Sequence, residues 1–299
     1  MAALRFDTLD VFTQTPLCGN PLAVVLGADR LSSAQMQRIA REFNLSETVF
    51  VLPAEHADAI VRLRIFTPLE ELPFAGHPNI GTACLLAARG MVPSDDEAEF
   101  IFEEGIGLVP VKISSKPGQV LKARISAVQA PVFLPEKVDT DAIAAVLGLD
   151  ALAMADPATS PAMTVNCGLP MLLAPLRAPE HLAGISLDAS ALPKLLQANS
   201  AHSLYVYAAG YEGEMRCRMF SPGIGEDPAT GSAAMALGAR LARDSDQDTQ
   251  TLIVDIRQGV EMRRPSEIEV TVEKQSGQIS AVHLAGCAVQ VMEGHIDIG

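Results

Sequence analysis

The chain has 299 residues, 48% hydrophobic and 19% charged, which supplies a large core, excludes a disordered chain and suits two domains of about 150 residues. A net charge of −14 disfavours nucleic acid and anionic membrane surfaces as partners, because both need basic patches. Five widely spaced cysteines with no CxxC pair argue against a disulfide frame or a zinc site, and the absence of tryptophan leaves bases and sugars few stacking platforms.

In chain order, acidic residues stand where a secretory signal needs its apolar core, and no apolar run reaches membrane-span length, so a soluble cytoplasmic protein is expected. Residues 4–12 alternate and residues 21–26 run apolar, reading as two strands. Ser32 or Ser33 caps a helix through Phe43, with Met36, Ile39, Ala40 and Phe43 at helical spacing. Strands follow at 47–52 and 59–66, then a loop at 67–79 rich in Gly and Pro, then a helix of small residues from Gly81. Short strands near 98–102, 108–113 and 120–125 complete the first half, residues 129–135 form the crossover, and Asp139 or Thr140 caps a small helix. The second half reads as strands at 163–165, 171–174, 204–208 and 215–220, a helix at 190–198, and a second small-residue helix from about Gly231 to Arg243. Strands at 252–256, 268–272, 279–284 and 288–292 end the chain, with turns at Gly259 and Gly277.

The halves repeat one another. RLRIFTP at 62–68 matches RCRMFSP at 216–222 in four of seven identities, 154 residues apart, and each copy runs through a polar loop into a small-residue helix. CGNPLAVV from Cys18 resembles CGLPMLLA from Cys167, NLSETVFVL from Asn44 resembles NSAHSLYVY from Asn199, and EEGI from Glu103 resembles RQGV from Arg257. A helix that is apolar all round must be covered on every side. The expected fold is therefore α+β: two pseudosymmetric lobes, each a curved, mostly antiparallel sheet or barrel wrapped round a central helix. The boundaries are 1–128 for the N-terminal lobe and 129–299 for the C-terminal lobe, with room for a C-terminal strand to cross back.

Chemistry should lie where the copies differ. Both central helices begin in loops of small residues, where unpaired N–H groups and the helix dipole favour an anion. Glu47 heads a strand that becomes wholly apolar, and its repeat partner is His202, so the carboxylate belongs to one lobe only. Partial burial there would suit a carboxyl group that both gives and takes a proton near neutral pH. The plainer readings are a solvated strand-end glutamate, a His77 bonded to its own loop, and Pro78, Asp227 and Thr230 as ordinary helix-start residues. No second ligand at metal spacing accompanies His77, so no metal is expected.

ELPFAGHP at 71–78, GEDPATGS at 225–232, GNPLAV at 19–24 and NLSET at 44–48 together resemble the phenazine-biosynthesis PhzF-like family, over nearly the whole chain. The resemblance implies a diaminopimelate-epimerase-like fold, a homodimer, no cofactor, and Glu47 as general acid/base with His77 and Asp227 assisting proton transfer. Ser46, Gly76, Thr230, Gly231 and Ser232 would line the substrate pocket, while Asn79 stands where the family more often has threonine. The implied activity is an isomerase that moves a proton between carbons of trans-2,3-dihydro-3-hydroxyanthranilate or a similar small carboxylate. Sister enzymes of that fold racemise with two facing cysteines, but those places hold Ala75 and Ala229 here, and two-thiol racemisation is not expected. The competing expectations are an epimerase or other proton-transfer enzyme on a different metabolite, and a non-catalytic anion-binding protein.

Overall fold

The structure is a computed structural model that describes residues 3–95, 97–115, 120–134 and 138–298. It is sheet-rich α+β, with seventeen strands and six α-helices among the described residues. None of its helices there is long and apolar enough to cross a membrane. The chain divides into two compact units, one of Met1–Ser126 with Ala285–Gly299 and the other of Ala127–Leu284.

In the first unit β1 (Leu4–Val11) lies antiparallel to β2 (Asn20–Val25). Helix α1 (Ser33–Phe43) follows, started by a capping box in which Ser32 and Gln35 satisfy each other's backbone N–H groups and ended by Asn44 in the left-handed region at φ 51°. Its apolar face, Met36, Ile39 and Ala40, packs with Phe50 and Phe66. The helix is the crossover that lets β3 (Glu47–Leu52) pair parallel with β2. Then β4 (Val61–Phe66) and β5 (Glu71–Leu72) add antiparallel partners. Helix α2 (Gly76–Ala88) is buried at every position from Gly76 to Ala87 and is touched by β1, β2 and β3 and, after it in the chain, by β7 (Gly107–Ser114) and β8 (Lys122–Ser126). These last strands form a hairpin series, β6 (Ala98–Glu104), β7 (Gly107–Ser114) and β8 (Lys122–Ser126), with β6 parallel to β4. Burying Ile80, Leu85 and Leu86 on this one helix contributes roughly 1.5–3 kcal/mol each.

The second unit opens with β9 (Val132–Phe133) and α3 (Thr140–Leu147), the latter capped by Asp139 and ended by Gly148. Next come β10 (Met163–Asn166), β11 (Pro170–Pro175), α4 (Glu180–Ala183), α5 (Leu192–Ala198), β12 (Ser203–Ala209), β13 (Met215–Ser221) and β14 (Gly225–Asp227). Helix α6 (Gly231–Asp244) is followed by β15 (Gln250–Gln258), β16 (Ser266–Gln275) and β17 (Gln278–Ile296). The pairing order of the first unit recurs: β11 parallel to β12, β12 antiparallel to β13, β13 antiparallel to β14 and parallel to β15. Helix α6 is touched by β10, β11, β15 and β16 of its own unit.

Several expectations need correction. Helix α2 starts at Gly76, so His77, Pro78 and Asn79 are its first turn and not loop; a proline is tolerated there because first-turn N–H groups have no intrahelical acceptor. Strand register pairs Glu47 with Leu22 and Ser203 with Met171, and the CGNPLAVV repeat equates Leu22 with Met171. The counterpart of Glu47 is therefore Ser203 and not His202; one extra residue before β12 shifts the sequence match. The strands expected at 279–284 and 288–292 are one, because Gly286 is no break: a Cβ on it would lie 2.3 Å from Cδ1 of Phe12, so glycine serves close approach to β1. From Ala288 onward β17 pairs with β1, and Ala285–Gly299 falls within the first unit. The crossover stretch contains β9, and its last residue, Pro135, lies outside the described residues. Helix α4 was not foreseen, and four residues are too few to show a helical period.

Candidate active site

The loop into α2 is held from several sides. Thr67 Oγ1 accepts the N–H groups of Leu69 and Glu70 at 3.1 and 3.0 Å, and Arg64 grips Glu71 with two bonds of 2.6 Å while reaching Ser33 at 2.9 Å. The Ile106 N–H donates to the Pro73 carbonyl at 3.0 Å. This delivers Ala75 as an N-cap residue that has no side-chain cap to offer, leaving first-turn N–H groups for another acceptor. Asn79 Nδ2 closes the turn by donating to the Ala75 carbonyl at 3.0 Å.

The start of β3 brings Glu47 against this turn. His77 Nε2 lies 3.3 Å from Glu47 Oε2, with the two side chains 6% and 15% exposed. Burial pushes the His77 imidazole down to about 3, so the ring is neutral at physiological pH. A neutral imidazole donates through one nitrogen and accepts through the other. The ring can thus face the Glu47 carboxyl as donor or as acceptor without taking a charge, at a place that water reaches poorly. Ser46 adjoins Glu47 in sequence and is half-buried, and Gly76 is the buried first residue of α2.

In the second unit Asp227 ends β14 opposite Met219 and is 6% exposed. Thr230 Oγ1 donates to Asp227 Oδ2, which uses the hydroxyl that would otherwise cap α6; that helix, too, has no side-chain cap. Gln258, wholly buried, donates through Nε2 to the Asp227 carbonyl at 2.8 Å and to Thr230 Oγ1 at 3.0 Å. Its Oε1 accepts from the Thr230 N–H at 3.2 Å and from the Tyr205 hydroxyl at 3.1 Å. Ser266 Oγ donates to the Pro228 carbonyl at 2.8 Å. Gly231 is the buried first residue of α6 and Ser232, half-buried, the second.

The structure therefore brings Glu47 to His77, next in the chain to Gly76, and Asp227 to Thr230, which precedes Gly231 and Ser232. Sequence reasoning missed Gln258 and Tyr205, which are bonded beneath the start of α6, and Glu104, buried at the equivalent place of the first unit. The signal was present in the EEGI and RQGV match, which sets Glu104 opposite Gln258 in the repeat. Ala75 caps α2 and Ala229 precedes the cap of α6, so neither helix start carries a thiol. No disulfide links the five cysteines, and burial pushes the thiols of Cys84, Cys167 and Cys217 up to about 12, which makes them poor nucleophiles. Among the described residues no cluster of three His, Cys, Asp or Glu side chains is arranged to hold a metal ion.

Comparison with known proteins gives a consistent picture. The family described as phenazine biosynthesis-like protein, PhzC-PhzF, matches residues 9–294. An isomerase of uncharacterised role from Mesorhizobium japonicum is 39% identical over 307 residues, covering 100% of both chains. The trans-2,3-dihydro-3-hydroxyanthranilate isomerase of Pseudomonas aeruginosa is 37% identical over 297 residues, covering 97% of this chain and 98% of its own. Among solved structures, a PhzF-family phenazine biosynthesis protein of Bacillus anthracis superposes with a TM-score of 0.90 at 28% identity, covering 100% of both chains.

Proposed function

The chain belongs to the phenazine biosynthesis-like PhzC-PhzF family and is an isomerase, and from that premise we propose that it moves a proton between two carbons of a small carboxylate resembling trans-2,3-dihydro-3-hydroxyanthranilate. The observation that carries the reading is the buried contact of 3.3 Å between Glu47 and a neutral His77. In the proposed step the Glu47 carboxylate takes a proton from one carbon, and the electron pair of that C–H bond enters the conjugated system of the substrate. The pair returns at another carbon, which receives the proton from the Glu47 carboxylic acid. No atom or electron is gained or lost, so the reading calls on no cofactor. His77 steadies the carboxyl and the direction of its proton.

The reading gives Asp227 a share in proton transfer, and gives substrate binding to Ser46 and Gly76 in the first unit and to Thr230, Gly231 and Ser232 in the second. The uncapped helix starts support this, since unpaired N–H groups and the dipole favour an anion. Removing a general acid/base costs about 10²–10⁴ in rate. Incubated in D2O with trans-2,3-dihydro-3-hydroxyanthranilate, the wild type should consume it and place deuterium in the product, while Glu47→Gln folds normally and loses at least about 100-fold in turnover. Undiminished turnover in that variant would remove Glu47 from the mechanism. A wild type inert towards this compound but active on another small carboxylate would move the substrate assignment and leave the reaction class.

A further inference from the structure

The repeated pairing puts Glu104 and Gln258 at equivalent places. Glu104 ends β6, where Glu103 lies opposite Arg62 on β4, and Gln258 ends β15, where Arg257 lies opposite Arg216 on β13. Both side chains are buried, at 6% and 0% exposure. Their surroundings differ. Gln258 meets the Tyr205 hydroxyl and Thr230. In the first unit the residue opposite Ile65 is Val49, where the residue opposite the matching Met219 is Tyr205. The start of α2 likewise offers Ala75 and Gly76, neither with a hydrogen-bonding side chain.

Glu104 is left with Asn79, whose amide lies beside its carboxyl. Asn79 Nδ2 gives one of its two N–H groups to the Ala75 carbonyl at 3.0 Å, and Asn79 Oδ1 and both carboxyl oxygens of Glu104 are buried with no well-formed hydrogen bond among the described residues. A second Asn79 N–H would favour the Glu104 carboxylate, but burial outweighs it, and the carboxylic acid that results supplies an O–H for Asn79 Oδ1. The turn that follows is fastened to the same helix start, through the Ile106 N–H on the Pro73 carbonyl at 3.0 Å and through Gly105, where a Cβ would sit 3.0 Å from Pro73 Cα.

We propose that Glu104 is a positioning residue for the reaction inferred above: donating from its carboxylic acid to Asn79 Oδ1, it holds the first turn of α2 and so keeps the His77 imidazole against Glu47. It does in the first unit what an amide does in the second. Burial pushes the Glu104 acid up to about 8, so its proton is retained at neutral pH and lost in mild alkali. The charges nearby are turned elsewhere. Arg62 is engaged with Glu55 and lies 3.9 Å from Glu103, Arg64 holds Glu71, and Lys112 on β7 pairs with Glu97 and Glu99. On α2, burial keeps both His77 and the Cys84 thiol neutral.

The test uses the substrate-free protein, so an error in the assigned reaction or substrate cannot produce either result. In isotopically labelled wild type, the Glu104 carboxyl carbon and the His77 ring nitrogens are followed by NMR from about pH 6 to about pH 10. The expected result is a Glu104 midpoint near 8 with the His77 signals moving at the same midpoint. Glu104→Gln should keep the neutral-pH His77 signals and abolish their alkaline step. A Glu104 midpoint at the ordinary glutamate value of about 4.3, or His77 signals indifferent to the Glu104 titration, overturns the proposal, and both are read in the wild type even if the variant fails to fold.

Discussion

Replacing His77 with glutamine should flatten the acid limb of the protein's stability. Burial lowers the imidazole from 6.5 to about 3 in the folded state. Between those values the unfolded chain binds a proton that the folded chain refuses, so this contribution is complete above pH 6.5 and is lost as pH falls towards 3. The separation of about 3.5 pH units corresponds to a ceiling of about 5 kcal/mol, of which about 2 kcal/mol is already lost at about pH 5. With a urea dependence of roughly 3 kcal/mol/M, that loss moves the unfolding midpoint by about 0.7 M. The assay is urea unfolding of wild type and His77→Gln at about pH 7.5 and about pH 5, read on a probe in the first unit, since a chain of two compact units need not unfold in one step. The wild type should lose about 2 kcal/mol more than the variant between the two pH values. Equal losses would mean that water or Glu47 lets the folded imidazole take up its proton, and the argument from burial would be wrong.

Two further substitutions probe the supports of the fold. Tyr205→Phe removes the hydroxyl that donates to Gln258 at 3.1 Å inside the second unit and should cost about 1–2 kcal/mol of stability in denaturant unfolding; no loss would mean that this bond is replaced by another donor. Gly286→Ala puts a methyl group 2.3 Å from the ring of the fully buried Phe12 and should cost about 1–3 kcal/mol with a lowered melting temperature, whereas an unchanged melting temperature would show that β17 can draw away from β1 freely.

Local signals were legible where one residue type has one physical use. Ser32 or Ser33, and Asp139 or Thr140, marked two helix starts, and the structure caps them at Ser32 and Asp139. The small and apolar stretch from Gly81 reads as a helix covered on all sides, because no charged residue interrupts it before Arg89. The start itself was read five residues late, since His77, Pro78 and Asn79 look like a turn until tertiary contacts hold Ala75 as the cap. Helix α4 and the continuity of β17 were likewise out of reach, the first for its shortness and the second because a glycine chosen for close approach to Phe12 looks like a break.

Sequence alone determined that the chain is duplicated, that each half carries one helix of small and apolar residues, and that Glu47 is a carboxylate present in one half only; these follow from residue identity and period. Only the tertiary structure decided that Ser203 is the counterpart of Glu47, because register is set by hydrogen bonds between strands far apart in the chain. It alone set His77 Nε2 at 3.3 Å from Glu47, a distance between the head of a strand and the first turn of a helix that no local rule encodes. The states of His77 and Glu104 belong to the same class, since a side chain holds or loses its proton according to the water and partners that packing leaves it.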